Sequence, residues 1–317
     1  MINRIAILGA GTMGYGIAMN FALAGSTVRL VDVNEGLLQK ALGNIRSAMR
    51  VFMKEGIITV EEIEEAIAEI YTYTDREIAC SDADMVIEAL PENLELKQET
   101  FLALDRICKP DCIFVTNTSG LKLSDIMKPL SKEKRQYCML AHYFNPAQII
   151  PLVELLALEE TLPSTIKDIE DLYRRAGKVT VLLRKEVSGM IGNRIQGAIC
   201  REAFWLLENG VCSYEDLGKV LMFGPCFRYA TTDYLEIVDM GGIDIWYSVY
   251  DRLFKELNSA TSASPLLRDK ANAGELGWKM GKGFYDYDGT KKEDVMDRYI
   301  RNLAKQLKVS ENYKRRS

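Results

Sequence analysis

The sequence contains very little histidine, tryptophan and proline: one, three and eight residues among 317. Basic residues are not in excess, because 45 acidic against 40 basic side chains leave a formal net charge of -5. This balance argues against a nucleic-acid binder, which needs a basic surface. The first residues, MINRIAILGAG, hold an apolar stretch too short for a membrane span and no signal-peptide cleavage site. We therefore expect a cytoplasmic globular protein that binds neither membranes nor nucleic acids.

Cysteine and histidine are too few and too scattered to predict a metal site. The seven cysteines, an odd number, are at positions 80, 108, 112, 138, 200, 212 and 226. Cys108 and Cys112 lie close together, but no second pair of cysteines or histidines completes four ligands. We expect reduced thiols, no disulfide framework and no bound metal.

Three glycines near the beginning of the chain have the spacing of a dinucleotide-binding turn. An apolar run at 5–8 predicts a buried strand, and residues 13–23 predict a helix. Between them, Gly9 allows a tight turn, Gly11 lets the backbone approach a pyrophosphate, and Gly14 lets helix and strand pack closely. The alternative is a flavodoxin-like turn that binds no dinucleotide.

A carboxylate follows the next apolar run. The stretch TVRLVD ends in Asp32, eighteen residues after Gly14. A carboxylate at this point accepts hydrogen bonds from the adenine-ribose hydroxyls and repels a 2'-phosphate, which favours NAD over NADP. We therefore expect NAD as the cofactor.

Strand and helix patterns continue to alternate along the chain. Residues 83–90 predict a strand, 94–107 a helix and 112–119 a further strand, which indicates parallel βαβ units. The expected fold class is α/β, with a doubly wound sheet of Rossmann type. Ligands of such sheets bind beyond the carboxyl ends of the strands, where residues 89–93 and 117–120 would meet the glycine turn.

The only histidine lies in an apolar run, QYCMLAHYF, that predicts a strand. After a turn signal at 145–146, the run IIPLVELLAL predicts another strand and contains Glu154. A glutamate among leucines is costly to bury without a partner, and adjacent strands would place Glu154 opposite His142. Such a carboxylate orients an imidazole that acts as general acid and base. The alternative is a structural ion pair, but the nearby nicotinamide site favours catalysis.

Six motifs occur in order over residues 1–289: GAGTMG, VIEALPEN, NTSGL, HYFNP with PLVEL, GMIGNR and GKGFYDY. Together they resemble the L-3-hydroxyacyl-CoA dehydrogenase family, which includes 3-hydroxybutyryl-CoA dehydrogenases. The resemblance implies an NAD-dependent enzyme that interconverts a short-chain L-3-hydroxyacyl-CoA with the 3-ketoacyl-CoA. It also implies a helical C-terminal domain that makes a homodimer and closes the active site.

The resemblance also assigns roles to individual residues. The catalytic residues that it implies are His142, Glu154, Ser119 and Asn193. Ser119 and Asn193 would hydrogen-bond the substrate oxygen, while Glu92 and Lys97 would contact the nicotinamide-ribose side of the cofactor. The cofactor-binding residues that we predict are Gly9, Gly11, Thr12, Met13, Gly14, Asp32, Glu92, Lys97 and Asn117.

The remaining patterns predict the domain organisation. The expected parts are an NAD-binding domain at 1–184 with a helical hairpin at about 36–71, an all-helical dimerisation and substrate domain at 185–290, and a helical extension at 291–317. Within the helical domain, residues 187–211 predict one long helix and further helical patterns follow at 214–222 and 233–257. Apolar helix faces that the first domain leaves uncovered would pair with a second copy.

Departures from the acyl-CoA pattern leave the substrate open. Residues 227–230, FRYA, resemble the branch with lambda-crystallin, L-gulonate 3-dehydrogenase and carnitine dehydrogenase, whose substrates are small 3-hydroxy acids without CoA. Arg228 either binds a substrate carboxylate or is a surface or dimer-contact arginine. In the hairpin, Arg46, Arg50 and Lys54 either meet CoA phosphates or form a solvated face. Lambda-crystallin adds a third alternative, a catalytically idle NAD-binding homologue.

Overall fold

The computed structural model of the protein describes residues 2–289 and 292–314. Eight strands form one sheet in the order β3-β2-β1-β4-β5-β6-β7-β8. The strands are β1 (Arg4–Leu8), β2 (Thr27–Val31), β3 (Ile70–Tyr73), β4 (Met85–Glu88), β5 (Ile113–Thr116), β6 (Cys138–Tyr143), β7 (Leu152–Ala157) and β8 (Val179–Leu182). Every neighbouring pair is parallel except β6 and β7, which are antiparallel.

The helices that accompany the sheet lie between its strands along the chain. They are α1 (Gly14–Leu23), α2 (Glu35–Lys54), α3 (Val60–Ala68), α4 (Arg76–Cys80), α5 (Leu94–Ile107), α6 (Leu123–Met127), α7 (Lys132–Arg135) and α8 (Pro163–Arg175). Asn34 and Asn93 begin α2 and α5 by accepting hydrogen bonds from the first-turn amides, and Thr59 begins α3 with a capping box. Met13 precedes α1 and makes no such bond.

The core lies on both faces of the central strands. All four residues of β4 and all four of β5 are buried, as a parallel sheet covered on both faces requires. The sheet order reverses between β1 and β4, because β2 and β3 lie on one side of β1 and the later strands on the other. This topology confirms the α/β class with a doubly wound Rossmann-type sheet, and its switch point is where such folds bind ligands.

The chain divides into two compact units among the described residues. The first runs to Ile191 and also includes Ile300–Leu307, while the second runs over Gly192–Tyr299 and resumes at Lys308. The helices from Gly192 onward are α9 (Gly192–Glu208), α10 (Tyr214–Phe223), α11 (Pro225–Tyr229), α12 (Tyr234–Gly241), α13 (Ile243–Leu253), α14 (Pro265–Asn272) and α15 (Lys292–Lys314), with a 3-10 helix at Trp278–Met280.

Two helical segments differ from the sequence-based expectation. The long helix predicted over 187–211 begins only at Gly192, because Gly189 and Met190 have positive φ angles of 78° and 50°, which an α-helix does not allow. The pattern at 233–257 forms two helices, since Gly242 has a φ of 84° and ends α12.

The C-terminal segment contributes to the first unit. Ile300 and Ala304 of α15 are buried, and Arg301 lies 3.6 Å from the Glu55 carboxylate. Residues 291 and 315–317 of the predicted extension lie outside the described residues. None of the helices described here has the length and apolar character needed to cross a bilayer.

Candidate active site

The turn between β1 and α1 has the shape that a dinucleotide requires. Gly9 has a φ of 101°, and a Cβ built on it would lie 2.6 Å from the Ala89 carbonyl oxygen. A Cβ on Gly14 would lie 1.8 Å from the Gly9 carbonyl oxygen. A Cβ on Gly11 would meet no described atom within 4 Å, and the neighbouring Thr12 is exposed. The turn therefore fits a pyrophosphate, which would lie against Gly11 at the beginning of α1.

Asp32 follows β2 and lines a cleft of about 730 Å³. Its Oδ2 atom accepts a hydrogen bond from the Ala10 N–H at 2.9 Å, and its Oδ1 atom accepts one from the Asn34 N–H at 3.2 Å. The cleft also includes Gly9 and Val33, whose apolar side chain is 95% exposed. A carboxylate held by backbone amides at the wall of an open cleft fits the adenine-ribose hydroxyls of NAD.

A buried ion pair lies at the carboxyl end of β4. Lys97, from the first turn of α5, donates to Glu88 Oε1 at 2.6 Å, and their side chains are 1% and 0% exposed. Glu88 also accepts hydrogen bonds from the Leu90 N–H at 2.6 Å and from Thr116 Oγ1 at 2.7 Å. Lys97 Nζ also forms a longer ion pair with Glu92, at 3.4 Å from its Oε2 atom. Glu88 is not among the site residues predicted from the sequence, although it is the one carboxylate inside the apolar run at 85–90.

Glu92 organises the loop that carries Ser119. Its Oε1 atom accepts hydrogen bonds from Thr118 Oγ1 and from the backbone N–H groups of Ser119, Gly120 and Leu121, the three amides at 3.2, 2.8 and 3.3 Å. Burial acts to raise the pKa of Glu92, but these hydrogen bonds outweigh it and hold the pKa below its ordinary value. The carboxylate thus stays ionised, and Ser119 is exposed at the edge of the sheet.

His142 and Glu154 are directly opposite each other in the antiparallel pair of β6 and β7. The distance from His142 Nδ1 to Glu154 Oε2 is 3.0 Å, and the side chains are 5% and 1% exposed. The Tyr143 N–H donates to Asn117 Oδ1 at 3.0 Å, which ties the end of β6 to the residue after β5. The histidine therefore lies at the same edge of the sheet as the glycine turn and Glu88.

The second carboxylate oxygen of Glu154 is also bound. Oε1 accepts a hydrogen bond from the Ile191 N–H at 2.9 Å. This backbone donor has no sequence signal, because any residue except proline carries an N–H group. Asn193 follows two residues later as the second residue of α9, in the second unit.

The other predicted substrate residues are all exposed. Arg46, Arg50 and Lys54 follow one another at four-residue spacing on α2. Arg228, in the second unit, stacks its guanidinium on the rings of Tyr229 and Trp246 at 5.7 and 5.9 Å. The seven cysteines are free thiols, and the described part of the chain holds no cluster of three or more side chains suited to a metal ion.

The carboxyl ends of the strands thus carry a glycine turn shaped for a dinucleotide, the Asp32 carboxylate after β2 and, on β6 and β7, a buried histidine and glutamate, which is the set of groups that an NAD-dependent dehydrogenase needs. Residues 4–187 match the 3-hydroxyacyl-CoA dehydrogenase NAD-binding domain, and residues 189–287 match the C-terminal domain of the same family. The chain belongs to the 3-hydroxyacyl-CoA dehydrogenase family, and its cofactor is NAD.

Two similar proteins differ in the kind of substrate that their names give. The 5-formyl-3-hydroxy-2-methylpyridine 4-carboxylate 5-dehydrogenase of Mesorhizobium japonicum is 32% identical over 98% of this chain and 99% of its own. A probable 3-hydroxybutyryl-CoA dehydrogenase of Bacillus subtilis is 34% identical over 90% of this chain and 98% of its own.

Two of the similar solved structures differ in the same way. A crystal structure of a 5-formyl-3-hydroxy-2-methylpyridine 4-carboxylic acid 5-dehydrogenase, described as an NAD-dependent dismutase, is 31% identical with a TM-score of 0.89, and the match covers 98% of this chain and 99% of that one. The (S)-3-hydroxybutyryl-CoA dehydrogenase of Ralstonia eutropha is 29% identical with a TM-score of 0.71, over 91% and 100% of the two chains.

Proposed function

We propose that the protein reversibly oxidises a short-chain L-3-hydroxyacyl-CoA to the 3-ketoacyl-CoA with NAD. The observation that carries the proposal is the buried His142–Glu154 pair, at 3.0 Å, on the sheet edge that also holds the dinucleotide turn. Burying an imidazole and a carboxylate together costs desolvation free energy that a packed apolar pair would not, so their presence points to a chemical task. A general acid and base beside a hydride acceptor is such a task.

The chemistry follows from the hydrogen bond between the two side chains. Because a carboxylate can only accept, an ionised Glu154 3.0 Å away selects the tautomer of His142 with the proton on Nδ1, so Nε2 is the nitrogen that takes the proton from the substrate hydroxyl. Bound NAD supplies the hydride acceptor. As the carbinol becomes a carbonyl, the Ser119 hydroxyl stabilises its oxygen by a hydrogen bond. In the reverse direction the protonated His142 returns the proton as a general acid.

A substrate without CoA is the second candidate. The likeness to the pyridine carboxylate dehydrogenases extends over 98% of this chain, whereas the likeness to the Bacillus and Ralstonia 3-hydroxybutyryl-CoA dehydrogenases covers 90% and 91%. Under this proposal Arg228 binds the carboxylate of a small acid, as a planar guanidinium does with two parallel hydrogen bonds. Under the first proposal Arg50 and Lys54 meet the phosphates of CoA.

A substrate panel separates the two candidates. NADH formation or consumption is followed by absorbance with acetoacetyl-CoA, L-gulonate, carnitine and a formylated pyridine carboxylate, in the wild type and in three variants. If the substrate is a CoA thioester, we expect the double variant Arg50→Ala, Lys54→Ala to have a higher KM for acetoacetyl-CoA. The control Lys40→Ala, which changes an exposed residue on the same helix, should leave this KM unchanged. A small acid predicts that Arg228→Ala raises the KM for that acid instead.

The third alternative, an idle homologue, is tested with the same panel. No turnover of any panel substrate by the wild type, with NAD binding intact, would contradict both proposals. If the wild type is active and the alanine variants at Arg50, Lys54 and Arg228 have unchanged KM values, the proposed dehydrogenase activity stands but these three residues do not bind the substrate.

We propose further that the protein is a cytoplasmic homodimer. The second unit exposes large apolar side chains, among them Phe223, Phe227, Leu235 and Phe254, each at least 66% exposed. A surface of this kind supports pairing with a second copy. Sedimentation velocity at several concentrations tests the proposal, and a monomer at every concentration would contradict it.

A further inference from the structure

Met190 has a backbone conformation that its side chain disfavours. Among the described residues it is the only one other than glycine with a positive φ, 50°, and it follows Gly189 at 78°. In this left-handed region a Cβ crowds the following carbonyl group, so residues with side chains adopt it rarely. Such conformations persist where the surrounding structure determines them, and they concentrate at functional sites.

The side chain of Met190 is held in the core beside the candidate catalytic pair. It is 4% exposed and belongs to a buried cluster that includes Leu140 and Leu156. Leu140 and Leu156 are opposite each other in β6 and β7, and each lies two residues from His142 or Glu154. Because side chains alternate along a strand, the two leucines share a sheet face with the pair.

The peptide unit between Met190 and Ile191 makes a hydrogen bond to the candidate catalytic pair. The Ile191 N–H donates to Glu154 Oε1 at 2.9 Å while Glu154 Oε2 binds His142 at 3.0 Å. The segment is fastened at its other end, where Glu186 accepts hydrogen bonds from the Ser124 N–H and Oγ at 3.2 and 2.6 Å.

We propose that Met190 is a positioning residue of the active site. Its buried side chain and left-handed backbone aim the Ile191 N–H at Glu154, and the carboxylate so fixed orients His142. The inference rests on the proposed dehydrogenase function and adds a residue that sets the orientation of the catalytic pair without taking part in the reaction. Glycine would adopt the backbone angle freely but lacks the buried anchor, whereas a β-branched residue fills the core but resists the angle.

The first test uses Met190→Val, with Met190→Leu as the matched control that keeps an unbranched Cβ and an apolar side chain. His142 is the only histidine, so a protein labelled with nitrogen-15 in histidine gives one imidazole spectrum. We expect one tautomer, protonated on Nδ1, in the wild type and in Met190→Leu, and a mixture of tautomers in Met190→Val. Retained NAD binding and an unchanged circular dichroism spectrum show that the variant is folded. This readout needs no substrate, so it stands even if the proposed reaction is wrong.

The second test is kinetic. Losing a hydrogen bond to a charged group predicts that Met190→Val lowers kcat about 10- to 100-fold with little change in the KM for NAD. In a Glu154→Gln background the same change should cost less than about threefold, since the two residues act through one contact. If Met190→Val does not fold, Met190→Gly replaces it, because glycine accepts the angle and loses only the anchor. A wild-type imidazole spectrum in the folded variant, or losses that multiply in the double variant, would overturn the proposal.

Discussion

Replacing Lys97 by methionine should destabilise the protein strongly, because it leaves the Glu88 carboxylate buried without its cation. The two groups are 2.6 Å apart and at most 1% exposed. Removing one partner of a buried pair costs about 3–5 kcal/mol. Leu90 and Thr116 still donate to the remaining carboxylate, so we expect the lower end, about 3 kcal/mol. For a unit of this size that corresponds to a fall in Tm of roughly 6–12 °C.

Two further variants show whether the charge imbalance is the cause. Glu88→Gln combined with Lys97→Met removes both charges, so at least half of the lost stability should return. Lys109→Met breaks a pair with Asp84 at 2.8 Å, but those side chains are 36% and 21% exposed, and we expect a loss below about 1 kcal/mol.

The assays are urea denaturation and NAD titration on the same four proteins. Under the proposed cofactor role of Lys97, the double variant regains stability without regaining NAD affinity. A loss below about 1 kcal/mol in Lys97→Met, or a double variant no more stable than Lys97→Met, would refute the reasoning.

Three other changes have distinct expected outcomes. His142→Ala should abolish turnover measured at the NADH band while NAD still binds, and activity within tenfold of the wild type would remove the histidine from the chemistry. Asp32→Ala should lower kcat/KM for NAD about 10- to 100-fold and relax the preference over NADP, because hydrogen bonds to the ribose are lost and a 2'-phosphate is no longer repelled; an unchanged ratio of the two kcat/KM values would contradict this role. Burial acts to raise the pKa of Asp84, yet hydrogen bonds from Arg4 and Lys109 outweigh it and hold the pKa below its ordinary value of 3.8. The ionised carboxylate therefore stabilises the folded protein above about pH 4, and this contribution is lost as the pH falls further. Asp84→Asn should be less stable than the wild type at pH 7, and the difference between their urea midpoints should be smaller at pH 3. An equal difference at both pH values would show that the charge is not responsible.

Local patterns predict most of the sheet. The apolar runs around Ile7, Val86 and Val115 identify β1, β4 and β5, since a strand buried on both faces needs apolar residues throughout. The glycine spacing identifies the dinucleotide turn, because Gly9 and Gly14 leave no room for a Cβ. The edge strands β3 and β8 are as short as β4 and β5, but they are only partly buried and each has a threonine inside it, so neither is a continuous apolar run.

The contacts of the candidate site that side chains make can be predicted from the sequence, whereas those that backbone groups make cannot. Glu154 is visible as a glutamate inside an apolar run, and the structure places it opposite His142. The same reasoning applied to the apolar run that contains Glu88 predicts a buried partner for this carboxylate, which in the structure is Lys97. The hydrogen bond from the Ile191 N–H to Glu154 cannot be predicted from the sequence. It depends on the left-handed backbone of Met190, and methionine is not a residue type for which that conformation is expected.

The antiparallel pairing of β6 and β7 has a consequence for how the protein folds. His142 and Glu154 are 12 residues apart, whereas Glu154 and Ile191 are 37 residues apart. On loop-closure entropy alone, the second contact costs about 1 kcal/mol more to close than the first. We therefore expect the hairpin to bring histidine and glutamate together early, on a nascent chain of about half the final length, and the Ile191 amide to lock the carboxylate only after β8 has joined the sheet.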